Sequence, residues 1–417
     1  MHNFALNDAF YLHIHSTKKF RTETVSVSFI RNLDESDAAI SFLLSYLLAD
    51  SCGRYPGKRQ VLNRLDELYG ASFSVSNDPF GNADRLSFSI SGIALPAFFP
   101  DYERIYMETL AAFIFEPRLE NGVFPEAMFQ ECVEQAVIAV EEERDDPFSL
   151  TLETASRGYG GTAAKKLLPT IEELRSLTSG QCADYWETMR STSRVDIQVL
   201  GDTDETECLA RVRELFPFGN GHHEPTVIEP HHGNESLQYI HKDVPQSHMI
   251  FLYETGIYSG DELLPVLILG NGVFGSLPVS LLFRNVREKL GLCYSIESRM
   301  LSYDEALRVS AACSSSAVST IHDAIMNEFE RMKNGAFSDE ELEVARRMTI
   351  SAYRSAKDIP SAILAGEYRR ALIPHKHAEA AMLERYLAVK REEIASVFSN
   401  MKLCSTAVLC KGEERVL

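Results

Sequence analysis

Histidine is the first residue to weigh in a chain that could do metal-assisted chemistry. This sequence has twelve, at positions 2, 13, 15, 222, 223, 231, 232, 241, 248, 322, 375 and 377. The helical zinc motifs H-E-x-x-H and H-x-x-E-H place both ligands on one helical face by setting them four residues apart. No two histidines here have that spacing, so neither motif exists in the chain. The remaining groupings read as structural or solvated. His222, His223, His231 and His232 sit in a polar Gly/Pro-rich stretch. His13 with His15, and His375 with His377, are i,i+2 pairs that need further ligands to hold a metal.

Other chemistries find little support. Gly53-Arg-Tyr-Pro-Gly57-Lys58 superficially resembles a phosphate loop. It is one residue short, and Arg59 stands where Ser or Thr would meet magnesium. No G-x-S-x-G occurs, and Gly275-Ser276 lacks the context of a nucleophile elbow. The acidic run Glu141 to Asp146 ends at Pro147 and reads as a solvated helix end. Arg287 and Tyr294 are different. They bracket a helix-to-strand turn at Gly291, which allows a left-handed exit from the helix. A guanidinium fork and a phenol on either side of such a turn can bind a peptide carbonyl or carboxylate. Spacing alone leaves open a surface arginine and a core tyrosine.

The elements needed to position these residues repeat. Leu65 to Val75 resembles Val286 to Ile296, with Gly70 and Gly291 separated by 221 residues. The same offset relates Leu86-Ser-Phe88 to Leu307-Arg-Val309, and Phe42, Leu43, Leu47 and Leu48 to Leu263, Leu264, Ile268 and Leu269. One offset across three segments implies two halves of similar fold. We expect an α+β chain of two homologous halves, each with antiparallel sheets covered by helices. The expected bounds are 1–215, an exposed linker at 216–235, and 236–417. Thr24 to Ile30 reads as a strand, and Ala38 to Ala49 as a buried helix. Val61 to Tyr69 reads as a helix capped by Gly70, and Phe73 to Val75 with Leu86 to Ile90 as paired strands. Helices are expected over Pro100 to Phe115, Glu126 to Arg144 and Asp339 to Ser355, the last with Ser338 at its cap.

Composition narrows the partners. The 417 residues carry a net charge of −19, which disfavours nucleic acid and anionic membrane because both are polyanions. Eight scattered cysteines with no C-x-x-C pair suit free thiols in a reducing compartment. No signal peptide is evident, and the longest apolar run, Ala38 to Ala49, is too short to cross a bilayer. A cytoplasmic protein is expected.

At Phe283-Arg-Asn-Val-Arg287-Glu-Lys-Leu-Gly291-Leu-Cys-Tyr294-Ser the chain resembles the C-terminal-half signature of the M16 metallopeptidases, the pitrilysin, insulinase and mitochondrial processing peptidase family. Leu269-Gly-Asn-Gly272-Val-Phe-Gly275-Ser276 resembles the Gly-rich stretch before it. Arg59 to Val75 resembles the region after the zinc motif, and Glu141 to Pro147 the end of the helix with the distal glutamate. The resemblance covers nearly the whole chain. It implies a clam-shell of two halves and a metalloendopeptidase ancestry. It also places Phe42 and Tyr46 where the family has zinc ligands, and Ser45 where it has the base. The distal glutamate position falls near Ala139 to Glu141.

A chain so altered holds no zinc of its own, and zinc is expected only in a partner. The implied role is a catalytically inactive subunit that pairs with an M16 paralogue bearing an intact H-x-x-E-H and binds peptide substrate through Arg287 and Tyr294. Among bacterial members it implies a link to peptide processing or elongation factor P modification. The alternatives are an active zinc metallopeptidase with a non-standard site, and a pure scaffold homodimer.

Overall fold

A computed structural model describes residues 2–165, 168–219, 224–229, 231–373, 375–376 and 379–411. His222, His223 and His377 lie outside the described residues, as does part of the expected linker. The chain forms two compact units, Met1–Glu142 with Leu168–Val227, and Glu143–Leu167 with Ile228–Leu417.

In the first unit, strands β1 (His2–Ala5), β2 (Phe10–Ser16), β3 (Thr22–Asn32), β4 (Ser72–Asn77), β5 (Ala83–Ile93) and β6 (Arg194–Gly201) form one sheet, in the order β1-β2-β6-β3-β5-β4. In the second, β7 (Ser236–His241), β8 (Ser247–Glu254), β9 (Cys293–Leu301), β10 (Ala306–Cys313) and β11 (Lys402–Cys410) follow the order β7-β11-β8-β10-β9. Apart from β1, the two sheets share one topology, so the 221-residue repeat is a repeat of fold. Each sheet also contains one parallel pair, β2 with β6 and β11 with β7, among otherwise antiparallel neighbours. Local alternation does not reveal it, because the parallel partners lie far apart in sequence.

Strand β3 shows how each layer forms. Val25, Val27 and Phe29 are fully buried in the core, while Thr24 and Ser28 meet Ser91 and Ser87 on the opposite face, at 2.9 and 2.8 Å. Period-two patterning puts apolar residues under the helices and hydroxyls on the other side. Helix α1 (Ala38–Asp50) is apolar nearly all round, and Leu43, Leu44, Leu47 and Leu48 are buried, as a core helix requires. Helix α2 (Lys58–Glu67) ends at Tyr69 and Gly70, both left-handed at φ 58° and 72°. Helices α3 (Tyr102–Phe115) and α4 (Glu126–Asp145) close near their expected limits. In the second unit, Asp339–Ala356 begins with a reciprocal cap. Ser338 Oγ accepts from the Glu341 N–H (3.1 Å), and Glu341 accepts from the Ser338 N–H (2.7 Å). Among the described residues no helix is long and apolar enough to cross a membrane.

The compact units differ from the expected halves at both borders. Helix α5 (Pro147–Tyr159) follows the first unit in sequence but packs in the second. Ala155 and Tyr159 join Ile250, Leu252 and Ala407 in an apolar cluster, and Ser405 Oγ donates to the Ala155 carbonyl at 2.8 Å. A Cβ on Gly158 would stand 2.2 Å from Ser236 Oγ, so glycine permits this close approach. The segment read as an exposed linker is anchored where it is described. Phe218 packs edge-on to Phe10 and Phe29, and Glu224 bonds Tyr11 and Arg194 at 2.7 Å. Val227 accepts the Asn82 N–H, also at 2.7 Å. Pro217, Glu224, Thr226, Glu229, His232 and Glu235 are exposed as expected, while buried Phe216 and Val227 tie the stretch down.

Candidate functional site

Helix α1 carries Phe42, Ser45 and Tyr46 along one side. The rings of Phe42 and Tyr46 are 5.4 Å apart and tilted by 55°. Ser45 Oγ donates to the Phe42 carbonyl at 2.7 Å, so its hydroxyl is committed to its own helix. Burial pushes the Tyr46 phenol above its usual range, and the Glu142 carboxylate adds to the shift. Zinc takes thiolate, imidazole or carboxylate donors. A phenyl ring, a spent hydroxyl and a phenol held protonated do not fit it. Among the described residues, no three His, Cys, Asp or Glu side chains gather in a metal-holding group.

The resemblance puts the family's distal glutamate near Ala139 to Glu141 of α4. Gln135 of α4 lines the same pocket as Phe42 and Tyr46, and Glu142 acts electrostatically on Tyr46. Ala139 lies four residues after Gln135 and three before Glu142, so all three share one face. Glu141 points about 120° away from Gln135 at 100° per residue. Of the positions 139 to 141, Ala139 is the one that shares this face.

Phe42, Ser45 and Tyr46 line a pocket of about 690 Å³. Phe42, Tyr46, Leu62, Leu65, Phe73 and Val75 form its apolar walls. Asp50 and Lys58 stand at its rim 3.3 Å apart, and Lys58 also pairs with Glu131. Strand β4, which supplies Phe73 and Val75, is the last strand of its sheet.

Arg287 and Tyr294 belong to the second unit. Gly272–Ser276 and Leu282–Glu288 are both wound as π-helix, a geometry that recurs at functional sites. Gly275 makes this packing possible, because a Cβ there would stand 2.5 Å from Ser298 Oγ and 2.7 Å from Leu282 Cδ1. Asn271 and Ser298, both buried, are hydrogen-bonded beneath it, and Arg284 pairs with Glu341. Gly291, at φ 65°, donates its N–H to the Arg287 carbonyl at 3.1 Å. The Arg287 guanidinium stacks over Phe283 at 4.9 Å. Burial pushes the Cys293 thiol up, and the Arg287 charge opposes that shift. Tyr294 is 61% exposed on edge strand β9, so it is not a core tyrosine. Among the described residues no hydrogen bond joins Arg287 to Tyr294; the turn presents both, and neither is tied to the other.

The other sequence features are structural where they are described. Arg54 of the glycine-rich stretch pairs with Glu116, and the Gly53 N–H donates to the Glu116 carbonyl at 2.6 Å. Asp146 caps α5 by accepting from the Ser149 N–H at 2.8 Å. All eight cysteines are free and buried. His231 packs on Tyr159, and His232 lies 2.7 Å from Glu254. His13 is buried, with Nε2 2.5 Å from Asp196 Oδ1, and Arg194 Nε donates to Asp196 Oδ2 at 2.7 Å. Burial would raise the Asp196 carboxyl, but hydrogen bonds from His13 and Arg194 hold it below the usual range.

Sequence reasoning missed this network and also Glu23. Both Glu23 carboxyl oxygens are buried without a hydrogen-bond partner among the described residues. Burial, with neighbouring Glu103 second, pushes its pKa up to about 9. One charged residue in the apolar alternation of Glu23, Val25, Val27 and Phe29 was the available signal.

Comparison with known proteins shows what the whole chain is similar to. Residues 176–349 match the family model described as "Peptidase M16 inactive domain". The chain is similar to "Probable inactive metalloprotease YmfF" of Bacillus subtilis (strain 168), with 26% identity over 419 residues and 96% of each chain covered. It is 27% identical over 180 residues to "Uncharacterized zinc protease YmxG" of the same organism, covering 42% of this chain and 43% of that one. Among solved structures, a conserved protein from Enterococcus faecalis V583 superposes with a TM-score of 0.90 at 26% identity, over 99% of both chains. The peptidase M16 inactive domain from Pseudomonas fluorescens superposes with a TM-score of 0.79 at 16% identity, also over 99% of both.

Proposed function

We propose that this chain, which resembles inactive-type M16 metalloproteases, is the non-catalytic member of a peptidase pair. The observation that carries this reading is an asymmetry. The positions that the resemblance assigns to the zinc motif carry Phe42, Ser45 and Tyr46, none of them fit for zinc. Meanwhile the Arg287–Tyr294 turn in the second unit is intact and open to solvent. In this reading the partner is an M16 paralogue with a complete H-x-x-E-H, and it supplies the zinc and the activated water. Arg287 and Tyr294 hold the peptide backbone or a carboxylate, through a rigid donor fork and a directional hydroxyl. The setting is the bacterial cytoplasm, in peptide processing or elongation factor P modification.

Co-expression with a zinc-bearing M16 relative tests the reading. A stoichiometric complex should form and cleave peptides, and Arg287→Ala should slow cleavage while leaving assembly and melting temperature unchanged. An isolated chain that retains stoichiometric zinc and cleaves peptides in a chelator-sensitive way would overturn it. So would a reconstituted pair that ignores Arg287→Ala.

A further inference from the structure

Strand β9 runs in regular antiparallel register with β10 from Leu301 back to Ser295, which faces Ala312. The next pair is Cys293 with Cys313. Two steps along β9 therefore match one along β10, and Tyr294 is the extra residue of a β-bulge. Bulges re-aim the side chains they carry. Cys293 and Ile296 both enter the apolar core of the second unit, so Tyr294 and Ser295 between them both face outward, and both are exposed. The first unit has neither the bulge nor the thiols. Strand β4 pairs with β5 without a shift, and the 221-residue offset puts Ser72, Phe73 and Gly92 where Cys293, Tyr294 and Cys313 stand.

Directly opposed residues of antiparallel strands have Cα atoms about 4.5–5.5 Å apart, and disulfides span Cα separations of about 4.4–6.8 Å. Cys293 and Cys313 turn into the same apolar cluster, so both sulfurs lie on one side of the sheet. Burial pushes the Cys313 thiol up to about 11, and the Cys293 sulfur beside it adds to the shift. Among the described residues no other cysteine has a cysteine as its strand partner. The two thiols are not equivalent. Cys313 is fully buried, whereas Cys293 is 8% exposed between exposed Leu292 and Tyr294. The Arg287 guanidinium favours the Cys293 thiolate, which is the reactive form.

We propose that Cys293 and Cys313 are a redox-sensitive dithiol, which closes to a disulfide and pins the bulge that presents Tyr294. The oxidant is a low-molecular-weight disulfide. The Cys293 thiolate attacks one of its sulfurs, forms a mixed disulfide and expels the first small thiolate. The Cys313 thiolate then attacks the Cys293 sulfur and expels the second. The two protein thiols give up two protons and two electrons, and the oxidant leaves as two small thiols. The dithiol stands on its own geometry; only its control over a bound peptide rests on the peptide-binding reading above.

Oxidised glutathione and the full, folded chain test the proposal. After incubation and alkylation of the remaining thiols, a digest made without reductant should contain the Cys293 and Cys313 peptides joined, two hydrogens lighter than their sum. Cys313→Ala should stop at glutathione on Cys293, and Cys293→Ala should leave Cys313 free. Hydrogen exchange of the segment around Tyr294, quenched with a phosphine so that both forms give the same peptides, should be roughly fivefold or more slower in the oxidised chain than in the reduced one. The Cys313→Ala variant should show no such slowing. Glutathione that stays on Cys293 of the unmodified chain, a link from either cysteine to a different one, or no oxidation of either would overturn the dithiol. A Cys293–Cys313 link with unchanged exchange would overturn the pinning of the bulge. If the link forms and slows exchange while the reconstituted pair ignores Arg287→Ala, only the peptide-binding reading falls.

Discussion

Replacing Glu23 with glutamine should stabilise this protein, and the gain should grow with pH. Glu23 sits on β3 facing the core, with both oxygens buried and no hydrogen-bond partner among the described residues. Its carboxyl ordinarily titrates at 4.5 and is pushed up to about 9 in the fold. An acid whose folded pKa is raised binds its proton more tightly when folded. Its stability is fully present below about 4.5 and is lost as pH rises through about 9. Within that window each pH unit costs about 1.4 kcal/mol. From pH 5 to pH 8 the unmodified protein should therefore lose about 4 kcal/mol through this one group. Glutamine keeps the shape and does not titrate. The Glu103–Arg211 ion pair beside it is present in both proteins and cancels from the comparison. The assay is urea unfolding of Glu23→Gln and the unmodified chain at pH 5, 6, 7 and 8. Near pH 5 the two should be almost equal, and by pH 8 the variant should be ahead by several kcal/mol. A stability difference independent of pH, or a variant that is weaker throughout, would refute the reasoning.

Three more outcomes are expected. The triple variant Phe42→His, Ser45→Glu, Tyr46→His should bind zinc weakly, and adding Ala139→Glu should tighten binding by an order of magnitude or more. If zinc titration shows no gain from Ala139→Glu, the distal position has been misplaced. Gly275→Ala should cost about 1–3 kcal/mol, because its Cβ would stand 2.5 Å from Ser298 Oγ; denaturant melts report the loss. Asp196→Asn should cost about 1–3 kcal/mol, because it removes the carboxylate shared by buried His13 and Arg194 and leaves Arg194 only Glu224 as an acidic partner; a calorimetric Tm unchanged from that of the unmodified chain would contradict this.

Much of the architecture was legible in the order of residues. The constant 221-residue offset predicted two similar halves, and the sheets do share a strand order. Gly70 and Gly291 were readable as helix exits because only glycine adopts a positive φ at little cost, and both do so. The helix cap at Ser338 was legible for a similar reason, since a cap is satisfied within one turn of chain. So was the missing pair of histidines, because ligand spacing on a helix is a property of sequence alone. Each of these features depends on neighbours within a few residues or on a strict repeat.

Only the tertiary structure decided the rest. Helix α5 packs in the second unit, with Ala155 and Tyr159 in its apolar cluster and Gly158 admitting Ser236 close to the backbone. The face of α4 turned toward Tyr46 carries Gln135 and Glu142, and no local pattern fixes that rotation. The open space beside Phe42 and Tyr46 exists because helices α1 and α2 and strand β4 stop short of filling it. Glu23 reads in sequence as a polar residue near a strand end, yet its environment comes from α3, from the turn after β6 and from Arg211. Burial and electrostatics are set by residues remote in sequence, which is why the absence of a metal motif was visible from the start and the pocket in its place was not.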